Sequence, residues 1–282
     1  MSANSPSLVG RARWRLANVL WPETPEPNKL VTRWRQRACE AEAIGRWQVA
    51  GGESTGRPLP EARSQGGEDA LLWDLLGDRE GGFFVEAGAY DGYTFSVSYL
   101  FECVGWNGVL VEPLPDRAAE CAARRKSSRV VTAALSRPGS PESATLTRVP
   151  WYEMYSGFDP ADPRLGFPDA DSDELVEERT PVLTLDQVLE DHRGPIDFLV
   201  LDVEGHELAV LEGFDLARWQ PTALLIEENE PARIPTLRDH VERRGYRYVA
   251  SLEQNHLFVR PDEIELARRL NPDWSDIAPV LR

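Results

Sequence analysis

The sequence predicts an α/β fold: a mostly parallel sheet, covered by helices on both faces and closed by an antiparallel hairpin. Three observations carry this. From residue 64 onward, short apolar runs alternate with segments of helical periodicity, the order that builds a parallel sheet. The runs at 196–202 and 223–227 are nearly continuous in apolar residues, as in strands buried on both faces. The last two runs, 246–250 and 256–259, are joined by a few polar residues and read as the hairpin.

The elements follow in order. Residues 9–20 read as a short basic helix, stopped by Pro22, Pro25 and Pro27. A second helix, 30–49, places Val31, Trp34, Ala38 and Ala41 on one stripe. Residues 51–60 are rich in Gly and Pro and read as a loop. Residues 1–62 therefore form an N-terminal helical extension, and 63–282 the main domain. Helices are expected at 69–76, 94–103, 116–125, 206–213 and 235–244, with Thr94 as an N-cap. Strands are expected at 81–86, 108–112 and 129–133, with an extra one at 144–149. The segment 150–178 is long and irregular, and such loops are usually functional or disordered.

Composition narrows the function. The formal charge of −16 argues against a nucleic-acid binder, which needs a basic face. Residues 1–50 hold eight basic residues against four acidic ones, so the acidic excess lies in the rest of the chain. No run of about 18 apolar residues appears, so no membrane span is expected. The first residues lack the apolar stretch of a secretory leader. Cys39, Cys103 and Cys121 are widely spaced and form neither a zinc pattern nor an even disulfide set. A reducing cytoplasm is the expected compartment. The two N-terminal helices offer a surface for packing on the main domain or for a homodimer.

The stretch from Phe83 to Gly92 is the most informative. An apolar strand runs into Glu86 and then into a turn with glycines at Gly88 and Gly92. Such a turn lets backbone approach a nucleoside ligand closely. A carboxylate there repels a pyrophosphate and suits a cationic or hydroxyl-rich ligand. That points to S-adenosylmethionine, which carries an ammonium and a sulfonium but no phosphate. Glu86 and the backbone from Gly88 and Ala89 through to Gly92 are expected to face its methionine part, with Asp91 toward the ammonium or a ribose hydroxyl. Glu112 ends the second strand about 20 residues after the turn, the spacing at which an acid binds ribose hydroxyls. Ala134, after the third strand, is placed toward the adenine edge.

The segments Ser64-Gln65-Gly66-Gly67-Glu68-Asp69, Val85 to Gly92, Gly105 to Pro113 and Leu201 to Glu207 stand in a specific order and spacing. Together they resemble the FkbM family of methyltransferases over residues 64–260. Thr184-Leu185-Asp186, Ile226-Glu227 and Asn255 to Phe258 extend the likeness. The resemblance implies a Rossmann-like class I methyltransferase fold with a seven-stranded sheet. It implies S-adenosylmethionine as donor and O-methylation of a small hydroxylated acceptor, such as a sugar or a natural product. Gln65, Thr94, Pro113 and Asp202, in or beside these motifs, join the expected donor-contacting set.

Methyl transfer from a sulfonium is an in-line displacement, and an aliphatic hydroxyl needs a base or a metal to lose its proton. Asp202, Glu204 and His206 are the candidate catalytic residues, with Glu204 or His206 as general base. Asp202, Glu227 and Glu228 at adjacent strand ends are hard oxygen ligands suited to Mg²⁺. Trp151, Tyr152 and Tyr155 supply aromatic faces for an acceptor. The competing readings are a catalytically silent nucleoside-binding or scaffold module and an NAD-linked oxidoreductase.

Overall fold

The computed structural model describes residues 29–148, 176–263 and 265. The helix expected at 9–20 lies outside them, as does most of the segment 150–178. The described strands are β1 (Phe83–Ala87), β2 (Asn107–Glu112), β3 (Arg129–Thr132), β4 (Ala134–Leu135), β5 (Ser143–Arg148), β6 (Val176–Leu183), β7 (Phe198–Leu201), β8 (Ala223–Glu227), β9 (Arg247–Leu252) and β10 (Asn255–Val259). The helices are α1 (Lys29–Val49), α2 (Gly52–Thr55), α3 (Glu68–Leu76), α4 (Tyr99–Cys103), α5 (Pro115–Arg124), α6 (Leu185–Val188), α7 (Glu207–Glu212), α8 (Leu216–Trp219) and α9 (Ile234–Glu242).

Seven strands form one sheet in the order β3-β2-β1-β7-β8-β10-β9. The pairs from β3 across to β8 are parallel, and β10 runs antiparallel to both its neighbours. The expected α/β sheet and closing hairpin are both present.

Period-two alternation divides each central strand between two buried layers. Phe198 and Val200 of β7 enter one layer, and Leu199 and Leu201 the other. Phe84 and Val85 of β1 divide in the same way. Helices α1, α3 and α4 cover the first layer through Cys39, Ala43, Leu72 and Phe101. Helices α6, α7 and α9 cover the second through Val188, Val210 and Leu237. Each such fully buried Leu, Val or Phe contributes about 1.5–3 kcal/mol. Residues of α1 thus share the core of the sheet. Among the described residues no helix is long and apolar enough to cross a membrane.

Two segments differ from expectation. Helix α4 starts at Tyr99, not at residue 94, and Thr94 is no N-cap. Residues 93–98 instead form a loop whose amide groups are taken by side chains from outside it. Asp91 accepts from Tyr93 N and Thr94 N, and Glu86 from Val97 N and Ser98 N. Once those donors are satisfied, the helix has no reason to start earlier. The second difference is a separate three-stranded sheet, β4-β6-β5, of which only β5 is expected, as the extra strand at 144–149. Strand β6 carries three charged residues and Pro181, so it lacks the apolar run of a buried strand.

Backbone approach is closest where β1 meets β7. Gly88 has φ 84°, and a Cβ there would lie 1.8 Å from the Asp202 carbonyl oxygen. Gly139 has a similar φ of 82° but open space around it. Gly139→Ala should therefore cost about 1 kcal/mol of φ strain, and Gly88→Ala at least about 2 kcal/mol more. Urea unfolding of the two variants measures the difference; equal losses would remove the close approach from the account.

Candidate active site

The carboxyl ends of β1, β2, β7 and β8 open on one cleft. Gln65, Glu86, Gly88, Ala89, Thr94, Glu112, Pro113 and Asp202 all line it, together with Glu204 and Glu227. Distant segments meet to place them. Glu68 accepts from Gly66 N at 2.9 Å and from Asn255 Nδ2 at 3.1 Å, which ties the turn bearing Gln65 to the start of β10.

Glu86 is buried at the cleft, and its charge is taken up within the protein. Its carboxylate accepts from Ser96 Oγ (3.0 Å), Val97 N (2.9 Å), Ser98 N (3.2 Å) and Ser98 Oγ. The Arg125 guanidinium lies 4.0 Å away, only 1% exposed. Arg125 also bonds Glu102 at 2.9 Å, the Gly92 carbonyl at 3.1 Å and Ser98 Oγ at 2.7 Å. Glu86 is thus neutralised and spent on shaping the loop 93–98.

Asp91, Gly92 and Ala134 are absent from the cleft lining. Asp91 closes the same loop through Tyr93 N, Thr94 N and Thr94 Oγ1, and pairs with Arg124 at 2.7 Å. Burial raises its pKa, but the Thr94 and Tyr93 bonds and the Arg124 charge outweigh this and hold the carboxyl low. A Cβ at Gly92 would meet Cys121 Sγ at 2.7 Å, so this glycine lets α5 close on the turn. Ala134 pairs with Val182 in the small sheet.

Glu112 accepts from Tyr90 N at 2.8 Å and Leu114 N at 2.9 Å. Burial is the main cause that pushes its carboxyl up to about 7. Ligand-oxygen atoms of Asp202, Glu204 and Glu227 lie within 4.8 Å of one another. Burial, then the Glu227 charge, pushes Asp202 well above the usual carboxylate range. Burial, then the charges of Asp202 and Glu207, raises Glu204 to about 8. Burial raises Glu227 to about 7, with the charges of Glu204 and Glu207 adding to it. Glu227 Oε2 is buried and has no hydrogen-bond partner among the described residues. Among the described residues no arginine pairs with this cluster, unlike Glu86.

Two expected site residues sit elsewhere. His206 is the N-cap of α7, and its Nε2 meets Ser136 Oγ at 2.9 Å, outside the cleft lining. Glu228 turns from the cluster to Arg233 Nε at 3.2 Å and accepts from Glu230 N at 3.0 Å. Consecutive residues at a strand end point to opposite faces, so Glu227 and Glu228 cannot serve one ligand together. Glu204 takes the third place in the cluster. Trp151, Tyr152 and Tyr155 lie outside the described residues. Tyr90, within the expected Gly88–Gly92 backbone, lines the cleft, and Phe95, Leu114 and Val203 line it without having been expected there. Tyr90 and Phe95 have φ of 48° and 58°, as Glu204 has 54°. Non-glycine residues in that conformation gather at functional sites, but nothing in their residue types announces it.

A parallel sheet with one antiparallel strand beside its edge, and acids at the strand ends around one cleft, defines the class I methyltransferase architecture. The sequence signature described as the methyltransferase FkbM domain matches residues 86–248, and the chain belongs to that family. No curated protein matches it. Solved structures resemble it distantly. A TehB-like SAM-dependent methyltransferase from Corynebacterium glutamicum is 11% identical with a TM-score of 0.37, covering 79% of this chain and 99% of its own. Fibrillarin from Aeropyrum pernix, with natively bound S-adenosyl-L-methionine, is 14% identical with a TM-score of 0.38, covering 68% and 71%. The C-terminal domain of precorrin-6Y C5,15-methyltransferase from Rhodobacter capsulatus is 12% identical with a TM-score of 0.35, covering 68% and 85%. The family assignment rests on the sequence match.

The raised carboxyls make a pH prediction. Folded Glu204 and Glu227 hold protons more tightly than their unfolded forms, so the stability they contribute is lost as pH rises from about 4.5 through about 8. Glu204→Gln removes part of this loss. Its melting temperature should fall less than that of the wild type between about pH 5 and about pH 8.5, and lie above it at the alkaline end. Parallel melting curves for the two proteins would contradict the clustering.

Proposed function

We propose that the protein is an S-adenosylmethionine-dependent O-methyltransferase acting on a hydroxyl of a sugar or natural-product acceptor. The observation that carries this is the cluster of Asp202, Glu204 and Glu227, unneutralised and facing a cleft at the strand ends. Its chemistry fits a cationic ligand, because the orphaned Glu227 Oε2 and the crowding of three carboxylates both mark a missing positive charge. Glu112 is placed for ribose hydroxyls, and the Gly88–Ala89 backbone lets the donor lie close. Bound there, S-adenosylmethionine supplies an electrophilic methyl group on a sulfonium.

Glu204 is the general base in this reading. With its carboxyl raised to about 8, roughly a tenth of it is ionised at pH 7, and that fraction is basic enough to take a hydroxyl proton. His206, bonded to Ser136 away from the cleft, is no longer the favoured base. A second reading places a divalent cation on the same three carboxylates, whose hard oxygens suit Mg²⁺. The three cysteines are free and buried, in keeping with a cytoplasmic enzyme. The acidic balance favours a small-molecule acceptor over a nucleic acid.

Thermal shift separates the ligand classes: S-adenosylhomocysteine should raise the melting temperature and NADH should leave it unchanged. In a methyl-transfer assay over hydroxylated acceptors, Glu204→Gln should lower kcat by about 10²–10⁴ at saturating donor. Exhaustive chelation should leave the wild-type rate unchanged; its loss would favour the metal reading. Stabilisation by NADH alone would end the methyltransferase assignment of the cleft.

A further inference from the structure

We propose that Phe95 is the acceptor-side wall of the cleft, a platform for the flat apolar face of a neutral hydroxylated acceptor. This rests on the methyltransferase reading of the cleft and deepens it. Phe95 lines the cleft yet is 43% exposed. It is the one exposed residue between Asp91 and Ser98; Ser96, Val97 and Ser98, which follow it, are buried. It also takes φ 58°, a conformation that an aromatic residue adopts at a cost and glycine adopts freely.

Exposure and strain both oppose folding, so folding does not explain Phe95. The loop around it is nevertheless fixed from both sides. Asp91 holds Tyr93 N and Thr94 N before it, at 2.9 and 2.7 Å. Glu86 holds Ser96 Oγ and Val97 N after it, at 3.0 and 2.9 Å. Arg125 binds Ser96 Oγ from within at 3.1 Å. Two buried carboxylates and a buried guanidinium thus hold one exposed ring at the cleft. Strain over-determined by its surroundings in this way marks a site where presentation matters more than stability.

The chemistry of the ring selects its occupant. The donor's charges and hydroxyls are matched by Glu112, Asp202 and Glu227, whereas Phe95 offers no hydrogen bond. Its ring stacks on carbon: the C–H face of a sugar ring or a fused hydrocarbon ring. The donor's sulfonium is the other group that an aromatic face attracts, and the test distinguishes the two.

The probe is 2-naphthol, a neutral, planar, fluorescent hydroxyl compound, titrated into the S-adenosylhomocysteine complex of the full chain. The wild-type complex should bind it saturably, and Phe95→Gly should weaken that binding about tenfold. Phe95→Leu, which keeps bulk without the aromatic face, should lie between them. Phe95→Gly should melt no lower than the wild type and keep its affinity for S-adenosylmethionine and S-adenosylhomocysteine within about twofold. A lower melting temperature with 2-naphthol binding retained would make Phe95 structural. A selective loss of S-adenosylmethionine affinity would make it a donor contact. Either result, or no saturable binding of 2-naphthol by the wild type, overturns the proposal. A failure of both adenosyl compounds to bind the wild type would instead remove the methyltransferase reading beneath it.

Discussion

The buried guanidinium of Arg125 is the constraint on which the site depends. A charge removed from water is tolerated only when its partners are close and its donors are used. Glu102 and Glu86 supply the opposing charge, and the Gly92 carbonyl, Ser96 Oγ and Ser98 Oγ take the remaining donors. Those partners come from β1, from the turn after it and from α4. Satisfying one side chain therefore folds the whole passage from Asp91 to Ser98 around it. The delayed start of α4, the need for glycine at position 92 and the exposed position of Phe95 all follow from that closure.

The same network sorts the acids in and around the cleft into two kinds. Glu86 and Asp91 meet arginines and loop amides, so their charge is used within the protein. Asp202, Glu204 and Glu227 meet mainly one another, and burial with mutual repulsion raises all three. A buried like-charge cluster is costly as it stands and becomes favourable when a cation enters it. In the proposed function, discrimination between a sulfonium donor and a phosphate-bearing one lies at the ends of β7 and β8, beside the glycine turn.

Most of the large sheet was legible because its central strands are buried on both faces. The runs Phe198–Leu201 and Ala223–Glu227 are as apolar in sequence as they are in place. Strand β6 was hidden because three consecutive charged residues, Glu177 to Arg179, run into Thr180 and Pro181, and one of its faces remains exposed. The positions of the cleft acids were legible from strand ends, but their states were not. Glu86 reads in sequence as a free charge because Arg125, far along the chain at the end of α5, leaves no local mark beside it. His206 and Glu228 are each a short step from residues that do reach the cleft. The turn into α7 and the pleat after β8 send their side chains elsewhere. Phe95 was invisible for a related reason, since its strain is imposed by carboxylates outside its own loop.

The central claim is that the cleft keeps its protonated carboxyls for a cationic donor. Titration calorimetry of S-adenosylmethionine near pH 7.5, in two buffers of different ionisation enthalpy, counts the protons exchanged on binding. A cation entering the cluster lowers its pKa values of about 7 and about 8, so binding should release protons. Glu204→Gln should release fewer. Binding of the donor with no proton release by the wild type would contradict the account.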